Sequence, residues 1–421
     1  MHQYQHRTQN KDQNGSGCKR ACLPHTFTSR NVTTDIFKYT QGRQLGAFRG
    51  DLIKLTGNYV AAQIPGLLQE QAFQLGRINK IFASQWLSER KVVIGSKCNQ
   101  IAVLDLFTKQ MAMIPSLKST DSSQPADCPC GIHAVELNPS KTLMATGGVN
   151  TNDLAIYQLP TCDPVCIGEQ GHQDWVFDIK WLDDQFVVTG SRDGNLALWH
   201  IPDTLEDNVS RMQSLQVPEY SVINPTLRRF CKKAEKVRAL AYNDNSGHIA
   251  ALSLNAYVHQ YDTRTFKQIC CKKLHHTREN VCMSVHKDRG LYAVGSQSYV
   301  ALLDSNTLKH VHSILSKQRG CGIRSVSFRN DVVTIGTGQG AVLFYDLRMG
   351  KYLECDCGHP CQLTAGKGWL AHDDNYRDYF YDQEYPNAIY THCYNETGTQ
   401  LFTAGGPLPA GLWGNYAAVW A

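Results

Sequence analysis

The sequence predicts an all-β fold, a seven-bladed β-propeller with a short N-terminal helical extension. Three observations support this prediction. One segment plan occurs seven times, successive copies are often separated by the length of one propeller blade, and the last copy lacks an outer strand.

The repeated segment comprises an apolar strand, a turn, a second strand that ends near Gly-Ser, Gly-Thr or Gly-Gly, a tight loop and a third strand. The first strands are expected to begin at Lys80, Ile132, Val176, Val237, Val281, Ile323 and Ile389. The third strands are expected to end at Asp105, Gln158, His200, Asp262, Asp304, Asp346 and Ala421. Three of the intervals between these ends are 42 residues, which matches a four-stranded blade of about 40–45 residues.

The third copy identifies the type of propeller. It contains Gly171-His172, Ser191-x-Asp193-Gly194 and Leu198-Trp199, the pattern of a WD40 repeat. In such repeats these residues commonly form a hydrogen-bond network within the blade. His172 and Asp193 are therefore predicted to be structural and not catalytic.

The repeats divide the chain into three parts. Residues 1–57 are predicted to be a largely disordered tail, since the first thirty are rich in Gln, Asn and His. Residues 58–78 form a helical segment, and residues 79–421 form the seven-bladed WD40 propeller. Because the last blade lacks its outer strand, an N-terminal segment should close the ring, and Asp35–Leu55 is the expected source.

The composition is that of an ordinary globular protein, with 42% hydrophobic and 19% charged residues. No apolar run approaches the roughly 18 residues of a membrane span, and the N-terminus has no signal-peptide layout. The cytosol or nucleus is the default location, where most of the 16 cysteines would be reduced core residues. The net charge of +5 does not indicate nucleic-acid binding unless the charges cluster.

Alignment of the repeats brings cations together at one end of the central channel. The first strands enter the channel at Lys80, His133, Phe177, Arg238, Cys282, Arg324 and Tyr390, and Lys97 and Arg192 follow two second strands. Five of these side chains, the lysines and arginines, are positively charged at neutral pH. Such a cluster around a concave mouth favours an anionic ligand, because guanidinium groups match the hydrogen-bonding geometry of carboxylates and phosphates. His133, Phe177 and Tyr390 are further candidates for the lining. The alternative is that each cation pairs with a loop carboxylate such as Asp174 or Glu279.

The opposite face has a separate signal. Tyr261-Asp262-Thr263-Arg264 and Tyr345-Asp346-Leu347-Arg348 each end a third strand with an arginine at the rim. Such an arginine can be structural or can contact a partner, and the repeats alone leave both interpretations open. Upstream, Tyr59–Gly76 is expected to form a short helix after Pro65, either packed as a lid or serving as a docking helix.

No catalytic motif stands out in the sequence. Gly336–Gly340 lacks the Lys-Ser/Thr ending of a nucleotide-binding loop. The run Cys355-Asp-Cys357-Gly-His359-Pro-Cys361 holds four soft ligands, but its spacing matches no recognised zinc site. No metal, cofactor or catalytic residue is therefore predicted, and the chain is not expected to be an enzyme.

Several long segments of the sequence closely resemble the sequences of one known family. They are NKIFASQWL (79–87), CGIHAVELNPS (130–140), TGQGAVLFYDLR (337–348) and AGGPLPAGLWGNYAAVW (404–420). Over residues 58–421 they resemble the twelfth group, with its "like" paralogues, of the DDB- and cullin-4-associated factors. The resemblance implies a WD40 substrate receptor of a cullin-4 RING ubiquitin ligase, resident in cytoplasm and nucleus.

The resemblance also implies where partners bind. In that family the receptor docks on the ligase adaptor, the large damage-specific DNA-binding subunit. It does so through an N-terminal helical element and the aromatic-Asp-x-Arg box. The matching positions here are Leu67, Leu68, Phe73, Tyr345, Asp346 and Arg348.

The family's substrates end in acidic C-terminal degrons, typically two glutamates, which implies that Lys80, Lys97, Arg192, Arg238 and Arg324 bind them. The sequence departs from the family in its N-terminal basic run, reduced to Lys19-Arg20, and in the insertion at 203–236. Two alternatives stay open: an assembly scaffold without a ligase, or a propeller that binds phosphorylated or other anionic ligands.

Overall fold

The structure is a computed structural model that describes residues 57–120, 131–202, 220–318, 320–355, 358–381 and 383–421, together with Gln44. These residues form seven sheets of four or five strands. The predicted seven-bladed propeller is confirmed. The predicted disordered tail, apart from Gln44 and Gly57, lies outside the described residues.

The first three blades are built in chain order from the inner strand outward. Blade one consists of β2 (Ile81–Trp86), β3 (Lys91–Ser96), β4 (Ile101–Asp105) and β5 (Met111–Ile114). Blade two consists of β6 (Val135–Leu137), β7 (Leu143–Gly147), β8 (Leu154–Gln158) and β9 (Asp163–Gly168), with β13 (Ser221–Ile223) added parallel to β9. Blade three consists of β10 (Val176–Trp181), β11 (Phe186–Ser191), β12 (Asn195–His200) and β14 (Leu227–Phe230).

The next three blades follow the same plan. Blade four consists of β15 (Val237–Asn243), β16 (His248–Ser253), β17 (Tyr257–Asp262) and β18 (Lys267–Lys273). Blade five consists of β19 (Cys282–His286), β20 (Leu291–Gly295), β21 (Tyr299–Asp304) and β22 (His310–Leu315). Blade six consists of β23 (Ile323–Arg329), β24 (Val332–Thr337) and β25 (Ala341–Asp346), with β26 (Lys351–Tyr352) and β27 (Gln362–Thr364) both pairing with β25.

Blade seven combines both ends of the described chain. Its strands are β29 (Asn387–Tyr394), β30 (Leu401–Pro407), β31 (Gly414–Trp420) and β1 (Glu70–Ala72), and β28 (Trp369–Leu370) also pairs with β31. A π-helical turn, Tyr376–Phe380, lies between blades six and seven in the chain.

Six third strands end where the sequence predicts, at Asp105, Gln158, His200, Asp262, Asp304 and Asp346. In four of these blades the terminal aspartate stops the strand physically. Its Oδ1 atom accepts hydrogen bonds from the backbone N–H groups two and three residues later, as Asp105 does from Phe107 and Thr108 at 3.0 and 2.9 Å. This side-chain turn competes with strand pairing and begins the loop.

The source of the closing strand differs from the prediction. Glu70–Ala72 pairs antiparallel with Ala418–Trp420, flanked by hydrogen bonds from Gln69 N to Ala421 O and from Phe73 N to Ala417 O. The ring is therefore closed by residues inside the segment predicted to be helical. The predicted source, 35–55, lies outside the described residues apart from Gln44.

The helical segment is also shorter than predicted. Residues 57–63 are helical, and Pro65 lies in a 3-10 turn, Ile64–Gly66. The helix thus precedes Pro65 instead of following it. The physical reason is that β31 offers an open edge to the next residues, while Phe73 and Leu75 bury their side chains in the core shared with blade one.

The WD40 network of blade three is present as predicted. His172 Nε2 lies 2.6 Å from Thr189 Oγ1, which also accepts a 2.9 Å hydrogen bond from Trp199 Nε1. His172 Nδ1 lies 3.4 Å from Asp193 Oδ2. These groups are bonded to one another within the blade, which is a structural role.

Candidate binding site at the channel mouth

A central channel with a volume of about 680 Å³ runs between the inner strands of all seven blades. We call the end of the channel where the inner strands begin its upper end. Each blade contributes one side chain there, and together these form what we call the mouth ring: Phe82, His133, Phe177, Arg238, Cys282, Arg324 and Tyr390. In five blades the strand register shifts at this residue, for example between Val176 and Asp178. These β-bulges re-aim one side chain per strand.

Phe82, and not Lys80, is the blade-one member of the mouth ring. The register of β2 shifts between Ile81 and Ala83, as that of β10 does around Phe177. Lys80 precedes the strand and is buried, with its Nζ donating to the carbonyls of Pro409 at 2.8 Å and Leu412 at 2.6 Å. Burial, together with the charge of Lys97, lowers the pKa of Lys80 to about 7. The blade-one equivalent of Phe177 therefore lies two residues after the predicted Lys80.

One side of the mouth ring is aromatic. Phe82 stacks on His133 with 4.6 Å between ring centroids, and Tyr390 meets Phe82 edge-on at 5.2 Å. His133 meets Phe177 edge-on at 4.8 Å, and Phe177 in turn approaches Trp175 at 6.4 Å. These contacts form one connected wall from blade seven to blade three, and such arrangements are favourable beyond area burial.

The other side of the mouth ring holds two arginines. The guanidinium of Arg238 lies over the Phe177 ring, 4.1 Å from its centroid. Arg324 Nη2 donates to Glu279 Oε2 at 2.8 Å, while Arg324 Nε is buried and has no hydrogen-bond partner among the described residues. A buried donor without an acceptor costs free energy, so an anion at this point would be stabilised.

Gly322 allows the Arg324–Glu279 pair to form. Its φ of +74° is in the left-handed region, and a Cβ atom there would collide with Glu279 Oε2 and Arg324 Nη2. Glycine tolerates both the backbone conformation and the close approach. The ion pair therefore sits directly against the backbone at the entrance to blade six.

Two more predicted cations lie on the rim above the mouth ring, where they follow second strands. Arg192 lies over Trp175 at 4.5 Å and within 3.5 Å of Asp174 Oδ2. Lys97 Nζ donates to the carbonyl of Ala410 at 2.9 Å. Arg192 and Arg324 thus have the carboxylate partners that the alternative interpretation named, and both side chains keep some solvent exposure, at 34% and 18%.

A charged triad that the sequence did not reveal lines the channel below the mouth ring. Lys180 Nζ contacts Glu136 Oε1 and lies 3.4 Å from Asp178 Oδ1. Burial alone would lower the pKa of Lys180, but the two carboxylates raise it above its ordinary value. Burial raises the pKa of Glu136. Asp178 Oδ2 also accepts the N–H of Leu240 at 2.6 Å, which joins blades three and four.

On the opposite face Arg348 belongs to a cluster around a buried carboxylate. Its Nε lies 3.7 Å from Asp331 Oδ2 and its Nη2 lies 3.4 Å from Asp346 Oδ2, and Arg289 Nε donates to Asp331 at 2.5 Å. The N–H of Asp331 lies 3.4 Å from Asn58 Oδ1. The N-terminal helical residues therefore lie beside the Arg348 box.

The remaining predicted docking residues differ in how far their side chains are exposed to solvent. Leu67 is 67% exposed, whereas Leu68 is half-buried against the core of blades six and seven. Phe73 is buried in the core between blades seven and one, so it does not present a docking surface. Tyr345 and Asp346 are also buried, and only Arg348 of that box is substantially exposed, at 42%.

The described residues offer no group of three or more His, Cys, Asp and Glu side chains arranged to hold a metal ion. Of the cysteine-rich run, Cys355 is exposed and Cys361 is buried, and Cys357 lies outside the described residues. No helix within the described ranges is both long and apolar enough to cross a membrane.

Comparison with known families assigns the propeller. Residues 64–421 match the family described as the DDB1- and CUL4-associated factor 12 beta propeller. The chain belongs to this family. The match begins at the 3-10 turn and therefore covers the closing strand, all seven blades and the mouth ring. Membership in the DDB1- and CUL4-associated factor 12 propeller family agrees with the family resemblance of the long segments in the sequence analysis.

More distant relatives share the repeat architecture. A guanine nucleotide-binding protein subunit beta from Saccharomyces cerevisiae is 22% identical over 65% of this chain and 50% of its own length. Pre-mRNA-processing factor 19 from Oryza sativa is 26% identical over 29% of this chain and 26% of its own length. The guanine nucleotide-binding protein subunit beta-1 of Caenorhabditis briggsae is 29% identical over 30% and 35%. The chain spans a quarter to a half of these relatives.

Proposed function

We propose that this protein is the substrate-recognition subunit of a cullin-4 RING ubiquitin ligase. It would bind proteins with acidic C-termini, ending in two glutamates, at the mouth ring. The main support for this binding site is that Arg238 and Arg324 converge at the channel mouth. The Nε of Arg324 is buried and has no hydrogen-bond partner among the described residues. Family membership supports the ligase part of the proposal. The chain would perform no catalytic step itself, and it would act in cytoplasm and nucleus.

The geometry suits a peptide end with three negative charges. A terminal carboxylate can take a bidentate pair of hydrogen bonds from a guanidinium fork, and Arg324 Nε and Nη2 form such an edge. To receive it, Arg324 would exchange Glu279 for the peptide carboxylate. Arg238 is held over Phe177, which orients its guanidinium group at the mouth ring.

The channel interior limits how deep an acidic ligand can go. The triad of Glu136, Asp178 and Lys180 has a net charge of about −1 when both acids are ionised. An incoming carboxylate is attracted by the ring and repelled by this triad. The peptide end would therefore stop at the arginines. The aromatic wall of Phe82, His133 and Phe177 would pack against the methylene groups of its glutamate side chains.

The opposite face suits the adaptor. Arg348 is partly exposed and anchored by Asp331 and Asp346, and the helical residues 57–63 approach the same place through Asn58. Leu67, which follows the 3-10 turn after that helix, adds an exposed apolar side chain. One continuous surface could then engage the adaptor while the channel mouth is open to substrate.

A bridging experiment tests both halves together. Beads that carry a peptide ending in Glu-Glu should retain the chain and, through it, the adaptor and cullin-4. Arg348→Ala should lose the adaptor but keep the bead contact, and Arg264→Ala is the matched control because Arg264 ends the equivalent box of blade four. If the chain holds the peptide but never the adaptor, the ligase proposal is wrong and a plain scaffold is favoured.

A further inference from the structure

A second strongly basic surface lies on the outer strands of blades three and four, whereas the mouth ring lies on the inner strands. We call it the seam patch, because it follows the seam between blades three and four. Its exposed cations are Arg228, Arg229, Lys232, Lys233, Lys267 and Lys273. The stretch 227–233, Leu-Arg-Arg-Phe-Cys-Lys-Lys, contributes four of them.

The seam patch is built by contacts between the two blades. Arg229 Nε donates to the carbonyl of Phe266 at 3.1 Å, and Tyr261 Oη donates to Cys231 Sγ at 3.2 Å. Asn255 Nδ2 donates to the carbonyl of Lys233 at 2.7 Å. These bonds hold the outer strand of blade three against blade four. The backbone that carries the cationic side chains is therefore held in place.

No carboxylate in the described parts of the chain forms an ion pair with these cations. Among the described residues no Asp or Glu oxygen lies within 4.0 Å of the six cationic groups. Asp262 pairs across the strands with Lys267, but its Oδ1 accepts the N–H groups of Arg264 and Thr265 at 2.7 and 3.2 Å. A cluster of like charges without counter-charges attracts an anion and is partly relieved by it.

A groove of about 400 Å³ runs through the patch. Its lining residues are Arg229, Phe230, Lys232, Tyr261, Lys267 and Gln268. One wall is β14, the outermost described strand of blade three, whose four side chains are all exposed. Antiparallel pairing with β12 uses only alternate backbone groups of β14, so the others point outward and can pair with an added strand.

We infer that the seam patch is a second binding site, which takes an extended peptide rich in aspartate or glutamate. The peptide would add to the free edge of β14, its backbone would pair with that strand, and its alternate acidic side chains would meet Lys232 and Lys267. This is strand addition with charge complementarity. The site lies outside the mouth ring and does not depend on the proposed C-terminal recognition.

The same surface suits single-stranded nucleic acid less well. Binding of that kind uses aromatic faces on which bases stack. In the patch Phe230 is 59% exposed, but Tyr261 is buried. Tyr257 is already occupied, because Lys233 Nζ and Lys273 Nζ lie 5.9 and 5.6 Å from its ring centroid. A free backbone edge is used by a peptide and not by a nucleic acid.

The test measures fluorescence polarisation of a labelled peptide of alternating glutamate and threonine on the full chain. The peptide is amidated at its C-terminus, so it lacks the carboxylate that the mouth ring would recognise. The double variant Lys232→Glu/Lys267→Glu should weaken binding by at least about tenfold, because two attractive charges become repulsive. Lys109→Glu/Lys309→Glu is the control, with the same charge change on exposed turn lysines elsewhere, and should bind within about twofold of the unmodified chain.

Two further arms complete the test. Methylating alternate backbone nitrogens of the peptide should abolish binding if the peptide pairs with β14, and unchanged binding would overturn strand addition. An oligothymidylate of equal charge should bind more weakly than the peptide. Tighter binding of the oligonucleotide, lost in Lys232→Glu/Lys267→Glu, would show a nucleic-acid site instead. Equal effects of both double variants would mean that overall charge alone attracts the peptide, which contradicts the site.

Discussion

The guanidinium carbon of Arg238 lies 4.1 Å from the centroid of the Phe177 ring. This contact joins the cationic and aromatic halves of the mouth ring, and it repeats one layer above, where Arg192 lies over Trp175 at 4.5 Å. Stacking on an aromatic face fixes a guanidinium without neutralising it. The two contacts therefore orient both guanidinium groups at the channel mouth.

Reversal of the charge at Arg238 should abolish recognition of an acidic C-terminus. In Arg238→Glu, a carboxylate replaces a guanidinium at the ring, so a peptide ending in Glu-Glu should bind at least about 100-fold more weakly, or about 2.7 kcal/mol. Fluorescence polarisation measures this loss. Lys309→Glu, on an exposed turn of blade five, should leave both affinity and melting temperature unchanged. Retained binding in Arg238→Glu would reject the site.

The pH dependence of stability should reveal the buried amine of Lys80. Its pKa falls from 10.5 to about 7 on folding. Between these values the unfolded chain holds a proton that the folded chain releases, so the free energy of unfolding rises with pH. The limit is about 1.4 kcal/mol per pH unit. Urea unfolding from about pH 7 to pH 9 should show this rise relative to Lys80→Met, and parallel curves for the two proteins would contradict it.

Truncation should distinguish the two possible sources of the closing strand. Deletion of residues 1–56 leaves β1 in place, so the melting temperature should change little. Deletion of residues 1–74 removes β1 and the buried Phe73, which should cost at least about 3 kcal/mol from lost burial and strand pairing. Differential scanning calorimetry of both truncated proteins measures the difference. A comparable loss from the shorter deletion alone would mean that a segment before residue 57 closes the ring.

Two matched threonines test the polar network of the blades. Thr189 Oγ1 contacts both Trp199 Nε1 and His172 Nε2. Thr403 Oγ1 accepts from Trp420 Nε1 at 2.8 Å, and no histidine among the described residues bonds to it. Thr189→Val should therefore cost about 2–4 kcal/mol and Thr403→Val about 1–2 kcal/mol, since each buried donor left unpaired costs roughly 1–3 kcal/mol. Denaturant unfolding gives both values. Equal losses would show that His172 contributes nothing through Thr189.

Much of the fold could be predicted because its signals are local. The aspartates at the ends of third strands make side-chain turns with the next residues, so sequence alone marks those ends. Six of the seven mouth-ring residues could be placed for the same reason. The seventh prediction, Lys80, is two residues too early in the chain. Aligning Trp86 with Trp181 makes Phe82, and not Lys80, the equivalent of Phe177.

Features that depend on distant partners could not be predicted. The strand Glu70–Ala72 has three exposed side chains and no apolar alternation, and it exists because the edge of β31 is open. The pairing of Arg324 with Glu279, which the sequence offered only as an alternative, spans 45 residues of chain and needs Gly322. The triad below the ring joins blades two and three, and no spacing within one repeat reveals it.

The most direct test of acidic C-terminal recognition compares two labelled peptides on the purified full chain. Both end in Glu-Glu, one as the free acid and the other as the amide, and fluorescence polarisation gives their dissociation constants. We expect the free acid to bind, and the amide, or the same peptide extended by one residue, to bind far more weakly. Equal affinities for the free acid and the amide, or no binding of either, would contradict recognition of an acidic C-terminus at the mouth ring.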